Sequence, residues 1–250
     1  MGVGSLARDK GAGGKSRSGI RDRRSAHEVV KTAKRRTTSS AQWLARQIND
    51  PYVAEARNAG YRSRAAYKLR QLDDKYRFLR AGARVVDLGA SPGGWTQVAV
   101  QRVGEKGRVV ALDLVEIDPV PGAEFIIGDI QAPESLEQLR VALGGDADVV
   151  LSDMAAPATG HAKTDHIRVM ALAEAAHECA CSILAEGGAF VVKLLVGGAD
   201  RDLLTALKCN FRRARHVKPP ASRSDSREIY LVASGYRGVA ETVQEHNMKP

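Results

Sequence analysis

Four charged residues, Lys68, Asp153, Lys193 and Glu228, have the types and spacing to do chemistry together. Asp153 closes the apolar run Asp148-Val-Val-Leu-Ser-Asp153, and Lys193 closes Ala189-Phe-Val-Val-Lys193. Glu228 instead opens the run Glu228-Ile-Tyr-Leu-Val-Ala233. In a parallel sheet, ligands bind outside the carboxyl ends of the strands, so an acid and a lysine ending two strands face one crevice. A residue that begins a strand faces the same crevice only if its strand runs antiparallel. Two lysines and two carboxylates at a sheet edge suit tuned proton transfer, because each charge shifts the protonation of its neighbours. The plainer alternative is a buried ion-pair network that specifies the fold and adds little stability.

The elements that must position these residues follow a β-α alternation. Candidate strands are 84–88, 108–114, 124–127, 148–152, 188–193, 215–218 and 228–233. Candidate helices fall at 94–103, 134–143, 165–184 and 200–209. Near-continuous Val/Ile/Leu runs separated by helices indicate a parallel sheet covered on both faces. Only Pro219 to Arg227 separates the last two strands, too short for a crossover helix, so the final pair is expected to be antiparallel. Upstream, one helix is expected from Ser40 to Asn58, with Trp43, Leu44, Ile48 and Val53 as anchors. A second runs from Ser63 to Phe78, carries Lys68 and shows Ala66, Leu69 and Leu72 on one face.

The stretch Val85-Val-Asp87-Leu-Gly89-Ala-Ser-Pro-Gly93-Gly94-Trp95 reads as a strand, a glycine turn and a helix start. Glycines let a ligand approach the backbone, and a helix N-terminus offers free N–H groups. The spacing is neither the dinucleotide Gly-x-Gly-x-x-Gly nor a P-loop. The next two strands lead to Asp113 and Asp129. An acid after the second strand is placed for ribose hydroxyls, and one after the third for an adenine amino group. Either acid alone reads equally well as a turn cap. Together with Asp87 and the glycine turn they favour an adenosine ligand, and the absence of a pyrophosphate turn favours S-adenosylmethionine over NAD. Trp95 reads equally as a core aromatic and as a ring beside that ligand.

The net charge of +9 is concentrated in residues 1–40, which hold eleven Lys and Arg against three acids; the other 210 residues hold 27 against 26. That segment is rich in Gly, Ser, Arg and Lys, and reads as a disordered tail able to bind a phosphate backbone. It has no apolar core resembling a secretory signal, and no run of eighteen apolar residues marks a membrane span. Cys179, Cys181 and Cys209 lack metal-ligand spacing and read as free, buried thiols of a reducing compartment. Residues 41–236 are expected to form one domain and 237–250 a second tail.

Together, Arg62-Ser-Arg-Ala-Ala-Tyr-Lys68-Leu, Asp87-Leu-Gly-Ala-Ser-Pro-Gly-Gly-Trp95, Ser152-Asp153-Met154, Val191-Val192-Lys193 and Ser226-Arg227-Glu228-Ile-Tyr230 resemble the RrmJ/FtsJ (RlmE) family. The resemblance runs from about Ser40 to Gly235. It implies an α/β, Rossmann-like S-adenosylmethionine-dependent methyltransferase with a seven-stranded, mostly parallel sheet and an antiparallel last strand. It further implies 2′-O-ribose methylation of a uridine in the 23S rRNA A-loop, on the large ribosomal subunit, by a cytoplasmic monomer that needs no metal. The family's catalytic tetrad falls on Lys68, Asp153, Lys193 and Glu228, and its cofactor contacts on Gly93, Trp95, Asp113, Asp129 and Asp153. In this reading Lys193 is the base, Lys68 orients the hydroxyl and stabilises developing negative charge, Asp153 holds Lys193 and Glu228 fixes the lysine geometry. Arg62, Arg64, Arg70, Arg223 and Arg227 are expected to clamp RNA phosphates, while Arg212, Arg213, Arg215 and Lys218 read as polar surface. The segments Ala155–Gly160 and Leu194-Leu-Val196 depart from the family pattern. Competing readings are a tRNA, cap or mitochondrial rRNA methyltransferase, a non-catalytic ribosome-assembly factor, and a NAD-dependent dehydrogenase.

Overall fold

A computed structural model describes Met1, residues 44–196 and residues 201–238. Expectations for the basic tail and Trp43 fall on residues outside the described set, as does most of the C-terminal tail. The chain divides into two compact units, Met1–Asn49 and Asp50–Pro250. In the first, residues 44–48 are helical.

The second unit begins where the single helix expected over 40–58 breaks. Asp50 precedes a proline, which pushes it out of the helical region to φ −83°, ψ 116°. Its carboxylate then accepts from the Tyr52 N–H at 3.1 Å and starts a new helix, α1 (Pro51–Asn58), with proline at the first position. Helix α2 (Ala65–Tyr76) buries Ala66, Lys68, Leu69, Leu72 and Asp73. It stops at Arg77, which is left-handed at φ 54°, while the Asp73 carboxylate accepts from the Leu79 N–H at 2.8 Å.

The alternating part runs β1 (Arg84–Leu88), α3 (Gly94–Val103), β2 (Arg108–Asp113), β3 (Ala123–Ile127), α4 (Pro133–Leu143), β4 (Ala147–Ser152), α5 (Ala162–Ile183), β5 (Leu184–Leu195), α6 (Arg201–Asn210), β6 (Phe211–Val217) and β7 (Glu228–Tyr236). The strands form one seven-stranded sheet in the order β3-β2-β1-β4-β5-β7-β6. The five strands from β3 to β5 are parallel, and β7 runs antiparallel between β5 and β6. The strand order reverses between β1 and β4, the switch point at which such sheets open a binding crevice.

Alternation within each strand divides the core between the two faces. Val86, Leu88, Val110, Leu112, Val150 and Val192 pack with Leu139, Leu143, Ala173, Ala176 and Leu207 of α4, α5 and α6. Val85, Val109, Val149, Leu151, Val191, Tyr230 and Val232 pack with Ala66, Leu69, Leu72, Trp95 and Val98 of α2 and α3. Both faces are covered, which is why the strands read as unbroken apolar runs rather than alternating ones.

Three strands extend more than one residue beyond their expected limits, β7 among them, which runs to Tyr236. β5 begins at Leu184, directly after α5, and its pairing with β4 shifts register between Ala147 and Val149. β6 begins at Phe211, not at 215, because Phe-Arg-Arg-Ala-Arg-His-Val is a charged edge strand with no apolar run to announce it. Among the cysteines, Cys179 is buried, Cys181 is half-buried and Cys209 is exposed, so the expectation of three buried thiols fails at Cys209. No helix among the described residues is long and apolar enough to cross a membrane.

Candidate active site

The antiparallel course of β7 brings Glu228 to the carboxyl ends of β4 and β5. Lys193 pairs in register with Tyr230, and Leu195 with Glu228. Asp153 follows the last residue of β4, and Lys68 reaches the same place from the buried face of α2. The four charges meet as two ion pairs. Lys68 Nζ lies 2.9 Å from Glu228 Oε2, and Lys193 Nζ lies 3.1 Å from Asp153 Oδ1. Lys193 also donates to the Asp153 carbonyl at 2.5 Å.

Tyr230 joins the pairs, a placement that sequence reasoning missed. It is fully buried, its hydroxyl donates to Asp153 Oδ1 at 2.8 Å, and Lys68 Nζ sits 5.7 Å from its ring centre. The available signal was parity: Glu228 and Tyr230 are two apart on one strand and so share a face. Burial alone would raise the Asp153 carboxyl, but Lys193, then Lys68, and the hydrogen bond from Tyr230 outweigh it and hold the group below the usual carboxylate range. Burial, reinforced by Asp153 and Glu228, pushes the Tyr230 hydroxyl well above its ordinary value. Tyr230 is therefore a fixed donor and Asp153 a fixed acceptor near neutral pH.

A cavity of about 330 Å³ opens at the switch point, lined by Gly89, Asp113, Leu114, Asp129, Asp153 and Met154 among others. Asp113 is anchored by accepting from the Ser91 N–H at 2.8 Å and the Val115 N–H at 3.0 Å. Asp129 accepts from the Gln131 N–H at 3.0 Å through Oδ1. Gly89, at φ 73°, lies so close to Met154 that any Cβ would collide with that side chain.

Gly93 and Trp95, expected beside a cofactor, do not line this cavity. Gly93, at φ 103°, faces Arg62: a Cβ there would come within 2.8 Å of Arg62 Nη1. The Trp95 indole is buried, donates to the Ala65 carbonyl at 2.8 Å and lies 5.7 Å from the Tyr230 ring. Of its two readings, the core aromatic describes these contacts.

A family model described as FtsJ-like methyltransferase matches residues 61–236. The chain belongs to this family, and it is a methyltransferase. A relative from Parvibaculum lavamentivorans called Ribosomal RNA large subunit methyltransferase E is 52% identical over 241 residues, 92% of this chain and 95% of the relative. One of the same name from Paramagnetospirillum magneticum is 56% identical over 217 residues, 85% and 89% of the two chains. The solved structure of a ribosomal RNA methyltransferase from Plasmodium falciparum is 33% identical, with a TM-score of 0.64, over 71% of this chain and all of that one.

The arginines expected to face substrate make internal contacts. Arg62 donates to the carbonyls of Asp118 at 2.5 Å and Pro119 at 2.7 Å. Arg64 and Arg223 both pair with Asp50 Oδ2, at 3.1 and 3.0 Å, and Arg64 also donates to the Ala221 carbonyl. Arg227 donates to the Val196 carbonyl at 3.0 Å through Nε, and Arg70 lies over the rings of Tyr61 and Tyr67. Those of Arg64 and Arg223 hold the 218–227 loop against the starts of α1 and α2, beside the ion pairs. Among the described residues, no group of three or more His, Cys, Asp or Glu is placed to hold a metal ion.

Proposed function

We propose that this methyltransferase moves a methyl group from S-adenosylmethionine to a ribose 2′-oxygen of a uridine in the A-loop of 23S rRNA, within the large ribosomal subunit. The observation that carries the reading is the double placement of Asp153, which lines the cavity on one side and pairs with Lys193 on the other. A cofactor site and a proton-transfer cluster thus share one residue. The shared name of the relatives supports the ribosomal RNA substrate.

The residues present fit the cofactor. The cavity is of nucleoside size, Asp113 and Asp129 offer acceptors for ribose hydroxyls and an adenine amino group, and Gly89 keeps side-chain bulk away from the wall. When bound, the cofactor supplies a methyl group already activated on sulfur.

The chain has two tasks, alignment of the ribose hydroxyl and removal of its proton. Holding reactants in near-attack geometry supplies on the order of 7–11 kcal/mol of barrier reduction. A positioned base adds a further ~10²–10⁴-fold. Lys193, once it has released its own proton to solvent, accepts the 2′-hydroxyl proton at Nζ. Asp153 and its carbonyl fix that nitrogen, and Tyr230 fixes Asp153. Lys68, held by Glu228, orients the hydroxyl and stabilises the negative charge that develops on its oxygen. The basic segment 1–40 adds phosphate-backbone affinity.

The test supplies labelled cofactor with large subunits from cells lacking the enzyme, or with total tRNA, and maps ribose methylation at nucleotide resolution. Label at one 23S uridine in subunits is the expected result. Label only in tRNA overturns the substrate, and no label despite cofactor binding points to a non-catalytic assembly role.

A further inference from the structure

With the five arginines beside the ion pairs engaged in internal contacts, the positive charge available to an RNA backbone lies elsewhere. Residues 201–218 hold six Lys and Arg against one acid, although the 210 residues after position 40 are nearly neutral as a whole. Within that stretch, Arg212, Arg213 and Arg215 are exposed on β6, the outermost strand of the sheet. Among the described residues, no carboxylate lies within ion-pair distance of any of the three.

Their position relative to the site follows from register. Val217 pairs with Tyr230, whose hydroxyl holds Asp153. Arg215 pairs with Val232 and Arg213 with Ser234, so both share the sheet face of Tyr230. They lie ~7 and ~13 Å from Val217 back along the strand, toward its amino end. β6 itself stands two strands, ~10 Å, from Lys193 on β5. Arg212, with its aliphatic stem against Gly235, lies on the other face of the same strand. Arg215 thus stands nearest the active site, and among the described residues no carboxylate neutralises the three guanidiniums of this edge.

We propose that the β6 edge is a phosphate-backbone docking surface for the RNA flanking the target nucleotide. The inference rests on the ribosomal RNA reading above and deepens it. Arginine forks suit phosphate oxygens, and contacts of this kind position a nucleic acid without reading its sequence. Guarding an exposed edge against strand pairing is the other use of charged residues on such a strand, and needs no partner. The recess that Arg213 lines with Arg77 and Arg80, at the amino ends of β4 and β5, also contains Asp148 and Glu186. Its mixed charge confines the surface to the strand itself.

The test measures binding of large ribosomal subunits across a salt series for the full-length protein and for a triple variant, Arg212→Gln, Arg213→Gln, Arg215→Gln. A control variant neutralises Lys106, Arg108 and Arg140, exposed at the opposite end of the sheet. Each phosphate contact contributes about 0.7–0.9 to the slope of log affinity against log salt. The docking surface predicts a slope smaller by about 2 in the triple variant, with affinity near physiological salt reduced at least about tenfold. Cofactor affinity and melting temperature stay at wild-type values, and the control changes the slope by less than half as much. Arg215→Gln alone lowers the slope by about 1 and guards against cumulative damage in the triple variant. A folded triple variant with the wild-type slope, or a control that loses as much, overturns the proposal and leaves a solvated edge. Failure to methylate ribosomal RNA would sink the functional reading instead, because this slope is measured by binding alone.

Discussion

Substituting Asp87 by asparagine should remove a pH-dependent penalty from the folded state. Asp87 lies in the middle of the sheet on β1 and has no solvent exposure. One oxygen accepts from the Thr96 hydroxyl at 2.6 Å, and the other has no hydrogen-bond partner. Burial first, then the nearby charges of Asp153 and Asp113, raises its carboxyl from 3.8 to about 7 despite the Thr96 bond. A raised acid keeps its proton in the native state while the unfolded chain has released one. Stability therefore declines as pH rises from about 4 to about 7, then levels off. About three pKa units correspond to about 4 kcal/mol, an upper figure because local relaxation softens burial penalties.

Asparagine retains an acceptor for Thr96 and carries no charge at any pH. Its amide leaves one unpartnered polar group, as the protonated acid does, so that offset is the same at every pH. Urea denaturation of wild type and Asp87→Asn between pH 4 and 8 isolates the effect, since other titrating groups cancel in the difference. The variant's advantage should grow with pH by about 2–4 kcal/mol and plateau above pH 7. An advantage constant over that range would refute the reasoning, and one that shrinks would reverse its sign.

Tyr230→Phe keeps the ring against Trp95 and removes the donor to Asp153. A hydrogen bond to a charged group is worth about 1.5–3 kcal/mol, so kcat should fall by roughly 10–100-fold with cofactor affinity nearly unchanged, as steady-state kinetics would show. Asp113→Ala should weaken cofactor binding by a similar factor in calorimetry while the protein stays folded; wild-type affinity would remove Asp113 from the site. Asp50→Asn leaves Arg64 and Arg223 sharing a neutral partner in a half-buried setting. It should cost about 2 kcal/mol and lower the melting temperature by roughly 4–8 °C, and an unchanged melting curve would mean that the pairs add nothing to stability.

Local rules made the sheet readable. Val85-Val86, Val109-Val110 and Val149-Val150 announce buried parallel strands because both faces are covered, and the nine residues from Pro219 to Arg227 leave no room for a crossover helix. The same rules bring Asp153, Lys193 and Glu228 to one end of the sheet, and the family resemblance adds Lys68 from a helix. The first four residues of β6 escaped because an edge strand is shaped by solvent on one side, so Arg212 and Arg213 interrupt the pattern that marks a strand. Helix α1 was merged with the turn before it because the apolar spacing continues across Asp50-Pro51, and only the pre-proline restriction exposes the break. Trp95 reads both ways because an indole pairs a large apolar ring with an N–H that either a backbone carbonyl or a ligand can take; here the Ala65 carbonyl takes it. The arginines near Lys68 were assigned outward because their partners are mostly backbone carbonyls, Asp118, Pro119, Ala221 and Val196, whose positions no residue type encodes.

The central claim is that Lys193 removes the proton at a site whose cofactor pocket forms without it. Single-turnover methyl transfer to large ribosomal subunits by Lys193→Ala, alongside calorimetric cofactor titration of the same preparation, tests it directly. The account predicts wild-type-like cofactor affinity and a methyl-transfer rate reduced by about 10²–10⁴-fold or more. Near-wild-type transfer by the folded variant would contradict it.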